Sequence, residues 1–296
     1  MKIQHSSTQS VEQILVEAGL IHISQVELAL QEQTYNGLEI DEILVLHGWI
    51  KPETIDFFRH RWSKLVQETE KKPLLYYFQE AGLLDTEQIN AVIKLQNMKQ
   101  KKIRFHHLAV QQGYLKQMTV DFFLANLFKI YNPNSISVTK PFEMLKSYAK
   151  GERNFPSINL SKAPLMNVSL KGVILDNSDL RKADFTKANL SNSSFIQANL
   201  NWANFVKANL TEVNFTRSFL KSTNFREAHL EKANFQATIL HKADLRSAYL
   251  AQVNFAGADL TNTQLPYDFP YDIFYDENTR FDWDFNPQSM GWKKID

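Results

Sequence analysis

The sequence predicts an all-α domain followed by a β-solenoid, and three patterns within its 296 residues carry that prediction. From residue 156 to 265 the chain keeps a strict five-residue rhythm: every fifth residue from Leu160 to Leu265 is Leu or Phe, 22 positions in succession. Two positions before each stands a small or β-branched residue, as at Ala183, Ala188, Ser193, Ala198, Ala203 and Ala208; only the first, Ile158, is larger than Val. A helix repeats at about 3.6 residues and a strand at two, so a strict five fits neither. A sustained short period marks a solenoid whose units stack only on their neighbours. The third pattern is a looser repetition in residues 1–150, in which an apolar stretch, a glycine, a hydrophobic pair and a new helix start recur four times.

The four helical segments are Ile14–Ile21, Ile43–Ile50, Tyr77–Leu84 and Leu108–Leu115, with their glycines at Gly19, Gly48, Gly82 and Gly113. Each glycine stands where a helix ends on a left-handed residue. Ser24 with Glu27, and Asp85 with Gln88, read as capping boxes, and Pro52 suits a first helical turn. Two pairs of helix–Gly–helix units are expected. Tyr131 to Pro141 reads as a loop, with a short helix over about 142–150 leading into the first coil, and the helical domain is expected to cover that end of the solenoid.

Within the solenoid the central Leu or Phe and the small residue before it both point inward. From Phe185 to Leu240 the centres alternate Phe and Leu, so Phe recurs every ten residues. The residue beside the centre is often Asn, as at Asn189, Asn199, Asn204, Asn209, Asn214, Asn224, Asn234 and Asn254, which is turn chemistry.

The chain has no cysteine, hence no disulfide framework, and its polar N-terminus lacks the apolar core of a signal peptide. No apolar run reaches the length of a membrane span, and a cytoplasmic protein is expected. Charge is unevenly spread: residues 156–265 hold 12 Lys/Arg against 8 Asp/Glu, and residues 266–296 hold 3 against 7.

Ala183-Asp184-Phe185-Thr186-Lys187, Ala188-Asn189-Leu190 and Ala258-Asp259-Leu260 resemble the A-(D/N)-(L/F)-x-x unit of pentapeptide repeat proteins. The resemblance implies a right-handed, quadrilateral β-helix with four pentapeptides per coil, about 26 Å long at a spacing of ~4.8 Å. Such a coil would stack the Phe centres in two ladders, Phe185/Phe205/Phe225 and Phe195/Phe215/Phe235/Phe255. Tyr275–Phe281 and Phe285–Trp292 resemble the closing segments of cyanobacterial members, which implies an aromatic C-terminal cap or a homodimer surface. The division expected is 1–130 helical domain, 131–155 linker and N-terminal cap, 156–265 β-helix and 266–296 cap. Some members are thought to mimic DNA with an acidic rod; the mildly basic rod here argues against that role.

The helical half is similar to the N-terminal domains of type II secretion and type IV pilus ATPases, some of which bind cyclic di-GMP through R-L-G-x-x-L-V-x-x-G-L-I. Leu15-Val16 and Gly19-Leu20-Ile21 match, and Gln33 falls on the final Gln of the motif. The Arg-Leu-Gly positions hold Ser10-Val11-Glu12, Glu39-Ile40-Asp41, Pro73-Leu74-Leu75 and Arg104-Phe105-His106, so only the fourth keeps Arg. A basic cluster surrounds it: Lys99, Lys101, Lys102, Arg104, His106 and His107.

No phosphate loop, metal-spaced His/Cys set or nucleophile elbow is present. Asp282 and Asp284 could share a cation, but two carboxylates make a weak ligand set. The expectation is therefore a non-enzymatic interaction or scaffold protein, without a cofactor, whose protein partner meets the outward Trp202. The alternative is a cyclic-dinucleotide-sensing regulator using Lys101, Lys102, Arg104 and His106.

Overall fold

The computed structural model describes residues 9–98, 103–130, 139–266 and 272–296. The chain divides into two compact units, Met1–Ser137 and Val138–Asp296.

Among its described residues the first unit is built from helices α1 (Val11–Glu17), α2 (Ile23–Asn36), α3 (Ile40–Leu46), α4 (Pro52–Asp56), α5 (Trp62–Gln67), α6 (Leu74–Glu80), α7 (Thr86–Met98), α8 (Phe105–Gln111) and α9 (Gln117–Phe128). A π-helical turn, Phe57–Arg61, joins α4 to α5. The four predicted glycines all end helices with positive φ, from 65° to 73°. Each makes the same pair of bonds: Gly19 N–H to Val16 O and Leu20 N–H to Leu15 O, both 2.9 Å, recur at Gly48, Gly82 and Gly113. This is the Schellman arrangement, which satisfies carbonyls the helix end would otherwise orphan.

The Asp85–Gln88 box forms: Gln88 N–H donates to Asp85 Oδ1 at 2.8 Å and Asp85 N–H to Gln88 Oε1 at 3.1 Å. Pro52 opens α4. The Ser24–Glu27 expectation is corrected. The cap of α2 lies two residues earlier, with His22 N–H donating to Gln25 Oε1 at 2.6 Å and Ser24 N–H to His22 Nδ1 at 3.2 Å. An imidazole nitrogen can accept as a cap oxygen does, which a search for Ser, Thr, Asp and Asn passes over.

Tertiary bonds tie the four helical units in a fixed order. Thr54 Oγ1 donates to Ala81 O at 2.7 Å and Lys51 Nζ to Gly82 O at 3.2 Å. Thr119 Oγ1 donates to Ala18 O at 2.8 Å and Lys116 Nζ to Gly19 O at 2.8 Å. The second unit thus closes the helix end of the third, and the fourth closes that of the first. Between them lies an aromatic core in which Phe57 meets Phe123 and Phe58 meets Phe122, both at 6.3 Å, with Trp62 stacked on Phe122 at 5.2 Å.

The second unit begins with α10 (Thr139–Ala149) and continues as the solenoid. Parallel bridges link each residue before a centre to the one twenty positions on, from Asn154–Ile174 to Asp244–Gln264. Each coil therefore holds four pentapeptides. The second corner residue of every pentapeptide takes positive φ, 56° to 60° at the non-glycine positions. For L-residues this costs roughly 1–2 kcal/mol each. Asx turns at the corners help offset it: Asn204 Oδ1 accepts from Val206 N–H at 3.3 Å and Asn254 Oδ1 from Ala256 N–H at 2.9 Å. The other six Asn residues do the same, as predicted.

The axis is filled as expected. Phe185, Phe205 and Phe225 stack at 5.0 and 5.2 Å with rings 5° apart; Phe195, Phe215, Phe235 and Phe255 stack at 5.0 to 5.2 Å and 21°. The ladders meet edge-on, Phe205 lying 5.9 Å from Phe215 at 73°. At several small inward positions a hydroxyl finds a carbonyl one coil back, Ser193 bonding Leu170 O at 3.1 Å and Thr223 bonding Leu200 O at 2.9 Å, whereas Thr238 bonds Phe235 O of its own coil at 2.7 Å.

At the N-terminal end of the solenoid α10 meets the first coils: Tyr148 Oη donates to Lys171 O at 2.9 Å, and the Arg153 guanidinium lies 3.8 Å over the Tyr148 ring. At the other end pairing continues past the last centre, Leu265. Phe255 N–H donates to Phe274 O and Leu260 N–H to Arg280 O, both 2.8 Å, and Thr279 Oγ1 reaches Phe255 O at 3.1 Å as Thr223 and Thr263 reach the coil before them. Strand β1 (Phe274–Tyr275) then pairs in parallel with β2 (Lys293–Lys294), and Trp292 stacks on Phe255 at 5.6 Å.

Candidate functional site

One corner of the solenoid stacks four lysines. The stacked corner residues there are Ser161-Lys162, Arg181-Lys182, Asn201-Trp202, Lys221-Ser222, His241-Lys242 and Thr261-Asn262. Stacking identical pentapeptides places these residues one above another, so a cation at the same repeat position in successive coils becomes a ridge. Among the described residues Lys162, Lys182, Lys221 and Lys242 have no carboxylate partner; on other corners Lys171, Lys187 and Arg217 have none either, while Lys207 and Lys232 pair with Glu227 and Glu212. Arg181 is held by Asp179 through two bonds, Nε to Oδ1 at 2.8 Å and Nη2 to Oδ2 at 2.7 Å. Those bonds hold the Asp179 carboxyl below its ordinary value.

Trp202 occupies the left-handed corner position, φ 60°, and is 51% exposed. A left-handed corner throws its side chain outward, since the inward places are taken by the centre and the small residue. Lys182 Nζ lies 5.9 Å from the Trp202 ring centroid, a cation–π contact worth about 0.5–1 kcal/mol at an exposed site. Trp202, Lys182, Arg181, Lys162 and Ser161 line a shallow groove of about 250 Å³. The N–H of Trp202 donates to Lys221 O at 3.0 Å. Two positions before Lys221, on the adjoining face, Phe219 is 46% exposed and Ile239 follows it in the next coil at 41%.

Sequence reasoning found Trp202 but passed over Phe219 and Ile239. The signal was present, because both stand where most units carry Asn or Asp. Trp283, one of the aromatic residues of the closing segment, is 97% exposed. There Phe281 stacks on Phe285 at 5.2 Å and both meet Trp292, so the exposed indole is carried between two anchored rings. Asp282 Oδ1 accepts from Asn262 N–H at 2.9 Å, which ties that residue to the last coil.

Lys99, Lys101 and Lys102 lie outside the described residues. Arg104 is the exposed residue preceding α8, but His106 turns into the core and is 9% exposed. Burial, then the nearby charges of His107 and Arg104, push the His106 imidazole below its ordinary value, so it is neutral at pH 7. The rings of His106 and His107 nonetheless meet edge to face at 4.5 Å. Among the described residues no group of three or more His, Cys, Asp or Glu is arranged to hold a metal ion, and no helix is long and apolar enough to cross a membrane.

Comparison with known proteins agrees with the geometry of the solenoid. Residues 152–225 match the pentapeptide repeat region model, and residues 228–265 match that of the pentapeptide repeats (8 copies). An uncharacterised protein of Picosynechococcus sp. (strain ATCC 27264 / PCC 7002 / PR-6) is 38% identical over 120 residues, 40% of this chain and 64% of that protein. The chain thus spans somewhat under two thirds of that relative. Among solved structures, HetL, a pentapeptide repeat protein involved in heterocyst differentiation regulation from Nostoc sp. strain PCC 7120, is 26% identical. The match covers 46% of this chain and 68% of HetL, with a TM-score of 0.30. Rfr23 from Cyanothece 51142 is 24% identical over 44% of this chain and 84% of its own, with a TM-score of 0.21. With their twenty-residue coils and both matches, residues 152–265 are pentapeptide repeats, and the chain has cyanobacterial relatives.

Proposed function

We propose that this chain is a non-enzymatic protein-interaction scaffold: a right-handed rod, closed by residues 266–296, that presents one corner to a protein partner, with residues 1–130 as a helical adaptor. The observation that carries this reading is Trp202, half exposed on a rigid corner and flanked by lysines that no carboxylate of the described residues neutralises. The axis of the rod is filled by side chains, so its chemistry lies on its outside. A large aromatic held outward by the backbone binds at low entropic cost and is the kind of residue that dominates interface energies.

The test is a photo-crosslinking amino acid placed at position 202 of the full chain in its native cells, with the same residue at position 192, a left-handed corner position on another side, as control. A discrete adduct from 202 and none from 192 supports the reading. Equal labelling from both positions, or none from either, overturns it.

A further inference from the structure

We propose that the Trp202 corner takes the acidic aromatic segment Asp282-Trp283-Asp284 of a second copy of this chain, so that two rods associate side by side. The inference rests on the scaffold reading and names a partner for its surface. Three observations converge on it. The corner offers what an acidic aromatic segment needs: a groove beside an exposed indole, with Lys162 and Lys182 unpaired among the described residues and Lys221 and Lys242 further along the same edge. The segment offers the complement. Trp283 is 97% exposed between two aspartates, and the residues that carry it belong to a stretch with 7 acidic against 3 basic side chains.

The third observation excludes an internal contact. Asp282 is bonded to Asn262, the last residue of the same corner, and Phe281 and Phe285 are fixed against Trp292. Trp202 lies three coils back from Asn262, a separation of roughly 14 Å at about 4.8 Å per coil. The anchored segment does not reach its own Trp202, so the two complementary surfaces can meet only between copies. With the rods antiparallel, the segment of each meets the corner of the other, and the same contact is made twice about a two-fold axis. Such an interface is closed and limits itself to a dimer. Its two halves reinforce one another through effective concentration.

Sedimentation velocity on the full chain tests this. A monomer–dimer equilibrium is expected at low salt, weakening as salt rises to roughly 0.5 M, where the screening length falls to about 4 Å. Trp283→Ala and Lys182→Glu, both at exposed positions, should each raise the dimer dissociation constant by about tenfold or more. Lys182→Glu combined with Asp284→Lys should recover most of the loss, because the charges are exchanged across the interface. A chain that stays monomeric at every concentration overturns the proposal, as does a dimer unmoved by salt and by both single variants. The adduct from position 202 separates this failure from failure of the scaffold reading: twice the chain's mass marks a second copy, whereas a different mass with a monomeric chain leaves the scaffold standing without self-association.

Discussion

The hydroxyl of Thr119 donates a 2.8 Å hydrogen bond to the carbonyl of Ala18, 101 positions earlier in the chain. Both groups are buried, and Ala18 ends a helix, where a carbonyl has no partner within the helix itself. Thr54 and Ala81 repeat the relationship at 2.7 Å. These two bonds, with Lys116 and Lys51 on the adjoining glycine carbonyls, set which helical unit lies against which.

Thr119→Val keeps the shape and removes the donor, leaving the Ala18 carbonyl without its tertiary bond. The expected cost is about 1–3 kcal/mol, read as a lower urea midpoint for the helical unit. Thr34→Val, whose hydroxyl bonds an exposed carbonyl of its own helix, should change little. Equal effects from the two variants would show that the long-range bond contributes no more than a local one.

Two glycines with nearly equal φ should respond differently to alanine. Gly48 and Gly82 sit at 67° and 65°, so both variants incur roughly 1–2 kcal/mol for a left-handed L-residue. A Cβ at Gly48 meets nothing, whereas one at Gly82 would lie 2.6 Å from Glu53 Cγ. Gly82→Ala should therefore cost about 1 kcal/mol more than Gly48→Ala. Repeating the comparison in a Glu53→Ala background should abolish the difference; a difference that persists there would assign it to something other than this contact.

Phe205→Asp places a carboxylate between Phe185 and Phe225, in a stack with spacings of 5.0 and 5.2 Å and no polar partner. The rod should lose its β-type circular dichroism and its resistance to proteolysis, since an unpaired buried charge costs several kcal/mol. Phe205→Leu, which keeps the axis apolar, should remain folded and lose about 1–2 kcal/mol. A soluble, unchanged Phe205→Asp rod would contradict the inward placement of the centres.

His106 gives the helical unit a pH response of known sign. Its folded value is depressed, by burial first and then by His107 and Arg104, with Asp121 opposing. Its contribution is fully present above the unfolded value of about 6.5 and is lost as pH falls through the lower folded value. Thermal melts of the helical unit should fall as the pH drops below about 6.5, and less steeply in His106→Leu. An unchanged slope in that variant would place the titrating group elsewhere.

Much of the solenoid was legible because its information is local and repeated. Each Leu or Phe centre faces the same axis as the centres five residues either side, so the period alone reports inward and outward positions. The Phe ladders followed from that period together with the four-pentapeptide coil that the family resemblance implied, and the Asn residues followed from turn chemistry that acts two residues away. The left-handed lysines at corners such as Lys187 and Lys207 were not legible, because no propensity favours them. They adopt that conformation because hydrogen bonds to the coils above and below hold the whole corner in one geometry.

The helical unit divides in the same way. Gly19, Gly48, Gly82 and Gly113 announced four helix ends, since a left-handed terminus is a property of a few consecutive residues. A second signal went unread: Lys51-Pro52-Glu53-Thr54-Ile55-Asp56-Phe57-Phe58 and Lys116-Gln117-Met118-Thr119-Val120-Asp121-Phe122-Phe123 share Lys, Thr, Asp, Phe and Phe in the same order. Even read, it would not have said that Thr54 seeks Ala81 and Thr119 seeks Ala18, because either threonine could satisfy either carbonyl chemically. By itself the sequence determined the repeats, the turns and the face each side chain presents, all of which depend on neighbours close along the chain. The pairing of the helical units, and the alignment of Trp202 with four lysines along one edge, depend on which distant residues the folded chain brings together, and only the tertiary structure decided those.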